Sequence, residues 1–305
     1  MKHVFIINPA AGPKNSFDTI KAMVEKHTEI DYVIYKTQGE GDATIYVKKM
    51  CEDNPEEQFR FYACGGDGTM NEVLNGVVGH ENAALTVYPS GSGNDYVKYF
   101  GGARLFLDLD SVIKGTEVPV DVMKINNRYA LNVINFGFDT VVVKTMMKVK
   151  RLPLMKGKMS YIAGVISGLF GGRHNNCYIK ADGELLNPDG EFMMCTMANG
   201  SFVGGSFNCA PRSIVNDGLI EVTVVKPVEL IKVPDFIGKY TNGTFIDDPA
   251  CQKYVTYRQA RKIELDWDKP YDMCIDGELD LDRHFTIENL EGAVKFVVPA
   301  EDCEC

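Results

Sequence analysis

Three short segments concentrate glycine, carboxylate and hydroxyl in spacings that suit phosphate chemistry. Gly65-Gly66-Asp67-Gly68-Thr69 follows an apolar run and leads into helical spacing. Glycines there let the backbone approach a phosphate closely, and a helix N-terminus adds partial positive charge. A carboxylate in such a cradle would repel a nucleotide unless Mg2+ stood between them, so Asp67 reads as a metal ligand. Thr69-x-x-Glu72 also has the spacing of a capping box, which would satisfy the first helical turn from within. Pro89-Ser90-Gly91-Ser92-Gly93-Asn94-Asp95 supplies hydroxyls, two glycines and a second acid ahead of another helical stretch. Either loop alone is an ordinary turn, but two of them ending successive strands argue for one shared site. In Asp276-Gly277-Glu278 two carboxylates flank a glycine that lets the chain bend. Residues i and i+2 of an extended chain face the same side, and two close carboxylates cannot both ionise freely. Asp276-Gly277 is equally the chemistry of a plain turn.

These loops need a scaffold that brings strand ends together. Over the first hundred residues strand and helix signals alternate. Val4–Ile7, Asp31–Lys36, Phe59–Ala63 and Ala84–Tyr88 read as strands, and Ser16–His27, Asp42–Cys51, Thr69–Val78 and Asn94–Phe100 as helices. That rhythm predicts an α/β nucleotide-binding domain with a parallel sheet, whose ligands sit beyond the carboxyl ends of the strands. Near Pro119 the pattern changes to strands punctuated by turns, at Val122–Ile125, Tyr129–Ile134, Phe192–Ala198, Leu219–Val225, Lys262–Leu265 and Met273–Ile275. This predicts a second, mainly β-sandwich domain over 120–296, with 1–119 and a C-terminal return at about 297–305 forming the first. Val141–Arg173 departs from it, reading as helical with a break at Pro153.

A chain of 305 residues is long for one core. Its formal net charge of −10 argues against nucleic acid as a partner. The start lacks the features of a signal peptide, and no apolar stretch is long enough to span a bilayer as a helix. The nine Cys include no C-x-x-C pair or zinc spacing, so we expect buried thiols in a reducing cytoplasm, with Cys303 and Cys305 on an idle tail. The P-loop, G-x-G-x-x-G, H-E-x-x-H and G-x-S-x-G patterns are all absent.

Together Asn8-Pro9, the run from Gly65 to Gly76 and Pro89–Asp95 resemble the catalytic domain of diacylglycerol kinases, most closely the soluble bacterial lipid kinases of that family. Further matches follow in order at Asn135–Asp139, Asn199-Gly200, Gly204-Gly205, Asn216–Leu219 and Ile275–Glu278. The resemblance covers nearly the whole chain and implies a nucleotide domain and a β-sandwich domain, with the final strand returning to the first. It implies that ATP is held by Gly65, Gly66, Asp67, Gly68 and Thr69, with Asn8, Thr37 and Ser92. Glu72, Ser90, Gly91 and Asn94 complete the nucleotide contacts assigned here. It links Mg2+ to acids at Asp67, Asp95 and Asp121, with Glu278 nearby, and makes Asp276 or Glu278 the general base; of the pair, Asp276 is expected to meet the acceptor hydroxyl and Glu278 to lean toward the metal and its waters. A structural metal, in some members, uses positions matching Ile214, Asp217 and Leu219. Two departures stand out: Ser92 where the family usually has Thr, and Ala11 with Pro13 in the first loop where Ser is common.

From Lys144 to Arg173 the chain carries seven cations and no acid, interleaved with Met, Leu, Ile and Phe. Basic and apolar residues together suit peripheral docking on an anionic membrane, although a solvated basic face over a core helix has the same composition. The expectation is an ATP- and Mg2+-dependent lipid kinase acting in the cytoplasm at a membrane surface. Diacylglycerol, converted to phosphatidic acid, is the first acceptor, with phosphatidylglycerol, a sphingoid base or ceramide next. The alternatives are an NAD kinase, which shares a GGDGT loop, and a lipid-binding module without kinase activity. No oligomeric state follows from the sequence; a homodimer is compatible with it.

Overall fold

The computed structural model describes residues 1–149 and 172–300. In the first half, strands β1 (Lys2–Ile7), β2 (Asp31–Lys36), β3 (Phe59–Gly65) and β4 (Ala83–Pro89) alternate with helices α1 (Ser16–Val24), α2 (Asp42–Asp53) and α3 (Asp67–Val77). All pairings here are parallel, in the order β2-β1-β3-β4. Parallel strands covered on both faces need continuous apolar runs, and every residue of β3, Phe59 to Gly65, is buried. β2 is the sheet edge and correspondingly half-exposed.

After the short helix α4 (Leu109–Ile113), the chain enters β5 (Thr116–Ile125), β6 (Arg128–Ala130), β7 (Val133–Gly137) and helix α5 (Phe138–Val149). Small strands follow at β8 (Asn175–Asn176), β9 (Tyr178–Ala181), β10 (Glu184–Leu185), β11 (Glu191–Phe192), β13 (Phe202–Val203) and β14 (Phe207–Asn208). The framework of the second half is antiparallel: β12 (Met194–Ala198), β15 (Ile220–Val225), β16 (Val255–Ala260), β17 (Lys262–Ile275) and β18 (Glu278–Val298), with helix α6 (Val233–Asn242) laid against it. Alternation sorts this sheet into two cores. Ile134, Phe136, Cys195, Met197 and Val222 join Trp267 and Phe285 on one face. Val133, Met194, Ala198 and Val225 join Phe236 and Tyr240 of α6 on the other.

One sheet runs through both halves, because β18 pairs antiparallel with β17 and β5 and then parallel with β4 through Lys295 and Phe296. The return to the first half is therefore made within β18. The division at 119/120 passes through a strand, since Val120, Val122, Val294 and Phe296 belong to the same core as Val4 and Phe61. Between Leu290 and Val294 the ladder of β18 and β5 slips at a bulge, where Gly292 takes a φ of 59°. Two expected strands, Lys262–Leu265 and Met273–Ile275, are one, β17. The helix expected over Asn94–Phe100 contracts to a 3-10 turn at Tyr96–Lys98. Among the described residues no helix is long and apolar enough to cross a membrane, and the seven described cysteines are buried and form no disulfide with one another.

Candidate active site

The two glycine loops meet through their backbones. Ser90 and Gly91 both donate N–H to the Gly65 carbonyl, at 2.8 and 3.3 Å. A side chain at Gly91 would stand 2.5 Å from Gly66 Cα, so the contact requires glycine. Gly65 is constrained likewise, because a Cβ there would lie 2.2 Å from Thr69 Oγ1.

The capping box does not form. Helix α3 starts at Asp67 with Gly66 as N-cap, three residues before the register in which Thr69 could be N-cap, and no side chain caps it. Thr69 Oγ1 instead accepts from Asn8 Nδ2 at 3.0 Å, tying β1 to the helix. Glu72 reaches the adjacent helix and accepts from Gly41 N and Ala43 N at 2.9 and 3.2 Å, capping α2. The N-terminus of α3 is thus left as an anion site. It opens on a polar cleft of about 420 Å³ lined by Asn8, Thr37, Gly66, Gly68, Thr69 and Glu278. Ser92 and Asn94 lie on the neighbouring loop, Ser92 on the wall of a second cavity and Asn94 folded back so that Nδ2 donates to Gly91 O at 2.9 Å. Ser90 Oγ is buried without a partner among the described residues.

Asp67 accepts from Asn94 N and Asp95 N, both at 2.8 Å, one on each oxygen. Asp95 pairs with Lys98 and accepts from Gly205 N. A Cβ at Gly93 would lie 2.6 Å from Asp67 Oδ2 and 3.3 Å from Asp95 Oδ2. Two carboxylate oxygens therefore converge on a space that any side chain would fill. Burial, with the Asp95 charge adding to it, pushes the Asp67 carboxyl up to about 6. Two carboxylates, completed by water and phosphate oxygens, are the usual protein share of a Mg2+ shell, so these residues fit that ion. Asp121 is not part of the group. Its fully buried carboxylate accepts from Gly218 N, Asn289 Nδ2 and Gly292 N at 2.7, 3.0 and 2.8 Å, pinning the bulge of β18. Asp217 Oδ1 accepts from Leu219 N at 3.0 Å in a local turn, and Ile214 is exposed. Among the described residues no three acidic, His or Cys side chains cluster as a metal site.

The Asp-Gly-Glu triplet divides in two. Asp276, in the left-handed region at φ 47°, accepts four hydrogen bonds. Oδ2 takes Leu131 N and Asn71 Nδ2 at 2.8 and 3.0 Å, and Oδ1 takes Asn132 N and Val133 N at 3.0 and 2.9 Å. Burial raises its pKa, against bonds that favour the anion. A carboxylate has about four acceptor sites, so Asp276 has none left for an incoming hydroxyl. The expectation that it could be the base is corrected on that ground. Glu278 makes no hydrogen bond or ion pair among the described residues, and a Cβ on Gly68 would stand 2.9 Å from its Oε1. Burial first, and Glu40 second, raise its pKa.

Glu278 also borders the second cavity, of about 480 Å³. Asp67, Gly68, Gly93 and Asp95 line it together with Asn132, Asn135 and Asp276; most of the remaining wall is apolar, with Val142, Met194, Phe207, Phe236, Ile237 and Tyr240. The sequence reading missed α6, Asn71 and Lys98. The helix did leave a signal: Val233, Phe236, Ile237 and Tyr240 have helical spacing, with Pro234 at the start and Gly243 after the end. In the basic segment, residues 150–171 lie outside the described part. At its ends Lys144 pairs with Asp272, and Arg173 donates to Val228 O at 2.8 Å.

A glycine-loop parallel sheet joined to an antiparallel half, with acids lining the junction, is the architecture of a two-domain kinase. Residues 2–125 match the model of the diacylglycerol kinase catalytic domain, and residues 132–298 that of the YegS C-terminal NAD kinase beta sandwich-like domain. The chain belongs to the diacylglycerol kinase-like family of lipid kinases. It is 28% identical over 310 residues to a "Diacylglycerol kinase" of Bacillus subtilis (strain 168), covering 100% of this chain and 99% of that one. It is 28% identical over 278 residues to a "Probable lipid kinase YegS-like" of Xanthomonas oryzae pv. oryzae (strain MAFF 311018), covering 88% and 86%. A diacylglycerol kinase structure from Bacillus anthracis str. Sterne shares the fold, with a TM-score of 0.69 at 22% identity over 97% of this chain and 96% of that one.

Proposed function

We propose that this chain transfers the γ-phosphoryl group of ATP to a hydroxyl of a membrane lipid, diacylglycerol first. The observation that carries this is the position of Glu278, unengaged and shared by the polar cleft and the largely apolar cavity. A nucleotide in the cleft and an amphiphile in the cavity would meet at that side chain. The free N–H groups opening α3 receive phosphate oxygens, and Asn8, Thr37 and Thr69 line the same cleft. Asp67 and Asp95 would hold Mg2+, which when bound neutralises charge on the phosphate oxygens. Glu278 accepts the hydroxyl proton as the oxygen attacks, its raised pKa suiting a base that must become protonated. Asp276 clamps the 131–133 turn and so fixes where the triplet stands. The basic and apolar stretch 144–173 supplies peripheral contact with an anionic bilayer, from which the acceptor enters.

The test is to incubate the full chain with labelled ATP and Mg2+ and, separately, dioctanoylglycerol, phosphatidylglycerol, a sphingoid base, ceramide and NAD. Label in phosphatidic acid is the expected result. Label in NAD alone would assign an NAD kinase, and binding of lipid with no label anywhere would leave a binding module.

A further inference from the structure

Away from its acidic end the cavity is mostly apolar, and Asn135 interrupts that wall. Strand β7 turns Ile134 and Phe136 into the core beneath the sheet, and presents Val133 and Asn135 to the cavity. In register, Asn135 stands between Cys274 of β17 and Thr196 of β12, and Thr196 stands beside Thr223 of β15. A polar row thus crosses a face otherwise made by Val133, Met194, Val225 and Phe236. Thr196 is answered within the fold, its hydroxyl 3.4 Å from that of Tyr240. Asn135 is not. The residue is 3% exposed, its Oδ1 is enclosed without a donor, and its Nδ2 donates to nothing among the described residues. Only its main-chain carbonyl has a side-chain partner, Thr140 Oγ1 at 3.2 Å.

A carboxamide whose Oδ1 is enclosed without a donor, and whose Nδ2 has no acceptor among the described residues, is costly to keep, and a valine would satisfy both the strand and the apolar wall. The residue therefore answers something that enters the cavity. That ligand is apolar enough to lie against Phe236 and Met194, yet offers an oxygen at the level of Asn135. Cys274, Asn135's neighbour on β17, precedes Asp276 by two residues and Glu278 by four, so this oxygen lies close behind the reacting hydroxyl. An acylglycerol has that arrangement, with an ester carbonyl next to its free hydroxyl. Resting on the lipid-kinase reading, we propose that Asn135 is the specificity-determining residue that hydrogen-bonds the ester carbonyl beside the reacting hydroxyl. It selects acyl over alkyl glycerolipids.

The experiment compares dioctanoylglycerol with its dioctyl ether analogue, which keeps the hydroxyl and chains but lacks the carbonyls. Both are offered in the same detergent micelles to the full-length wild type, Asn135→Val and Asn135→Thr. Wild type is expected to favour the ester about tenfold in kcat/KM, equivalent to ~1.4 kcal/mol. Asn135→Val should bring the ratio to about one by losing the ester alone, with KM for ATP unchanged and a melting temperature no lower than that of the wild type. Asn135→Thr, which keeps a donor, should restore part of the preference. Equal use of ester and ether by the wild type overturns the proposal without needing a variant, as does a preference that survives Asn135→Val. Should no lipid be phosphorylated by the wild type, the kinase reading fails separately. Calorimetric binding of the two lipids without ATP then judges Asn135 by the same ratio.

Discussion

Replacing Asp276 by Asn separates a clamp from a base. Asn is among the few residues that tolerate the left-handed backbone observed there, so the substitution perturbs the carboxylate and little else. Both oxygens each accept two N–H donors, from Leu131 and Asn71 on Oδ2 and from Asn132 and Val133 on Oδ1. Whichever way the new amide turns, its NH2 group faces two donors, and two hydrogen bonds to a charged acceptor are lost. At about 1.5–3 kcal/mol each, the loss is about 3–6 kcal/mol. For 305 residues the unfolding entropy converts 1 kcal/mol into about 1.5 °C, so the melting temperature should fall by roughly 5–9 °C. Calorimetry on the variant measures this directly, with phosphoryl transfer assayed well below the transition. A melting temperature within a degree of wild type, together with abolished transfer, would falsify the clamp and return the base to Asp276.

Glu278→Gln should behave in the opposite way, losing at least about a hundredfold in kcat while melting normally and binding ATP as before. Steady-state kinetics beside a thermal scan decide it, and an active variant would place the base elsewhere. Asp121→Asn should lower the melting temperature by several degrees through the Gly218 and Gly292 donors, yet leave the Mg2+ concentration for half-maximal rate unchanged; a shift in that concentration would restore Asp121 to the metal. Burial, assisted by Arg60, holds buried His3 down at about 4, beside the Tyr62 hydroxyl at 2.7 Å. Its folded pKa lies below its unfolded value, so the unfolded chain binds the extra proton between pH 6.5 and 4 and stability falls as pH drops through that window. His3→Gln should show a shallower loss over the same range in chemical denaturation, and an identical slope would refute the assignment.

What was legible in the sequence was whatever glycine spacing and apolar runs encode. Gly66 and Gly91 announce the loops because no other residue permits the approach they make, and Phe59–Gly65 announces a central strand because nothing polar interrupts it. Strand β18 was illegible for the opposite reason. Its first third, from Glu278 to His284, is largely exposed and charged, and only pairing with β17 makes it a strand. Acids were legible as acids but not as roles. Asp121 and Asp276 look like Asp67 in one dimension, and differ in how many main-chain N–H groups the fold turns toward them. Asn71 and Asn135 were matched as parts of motifs but given no role, because a neutral amide carries no charge pattern; its meaning is the presence or absence of a partner.

The continuous sheet also dictates the order in which the molecule can be made. Strand β4 pairs with β3 on one side but finds its second neighbour only at Lys295 and Phe296, and Thr86 Oγ1 donates to Val297 O at 2.9 Å. A nascent chain that has emerged through β4 therefore carries an unpaired strand edge, and a core lacking Val294 and Phe296, until β18 has also emerged. Contacts this distant in sequence close slowly, and exposed edges of this kind recruit other chains meanwhile. The nucleotide half, although translated before β18, cannot close its sheet until that strand arrives.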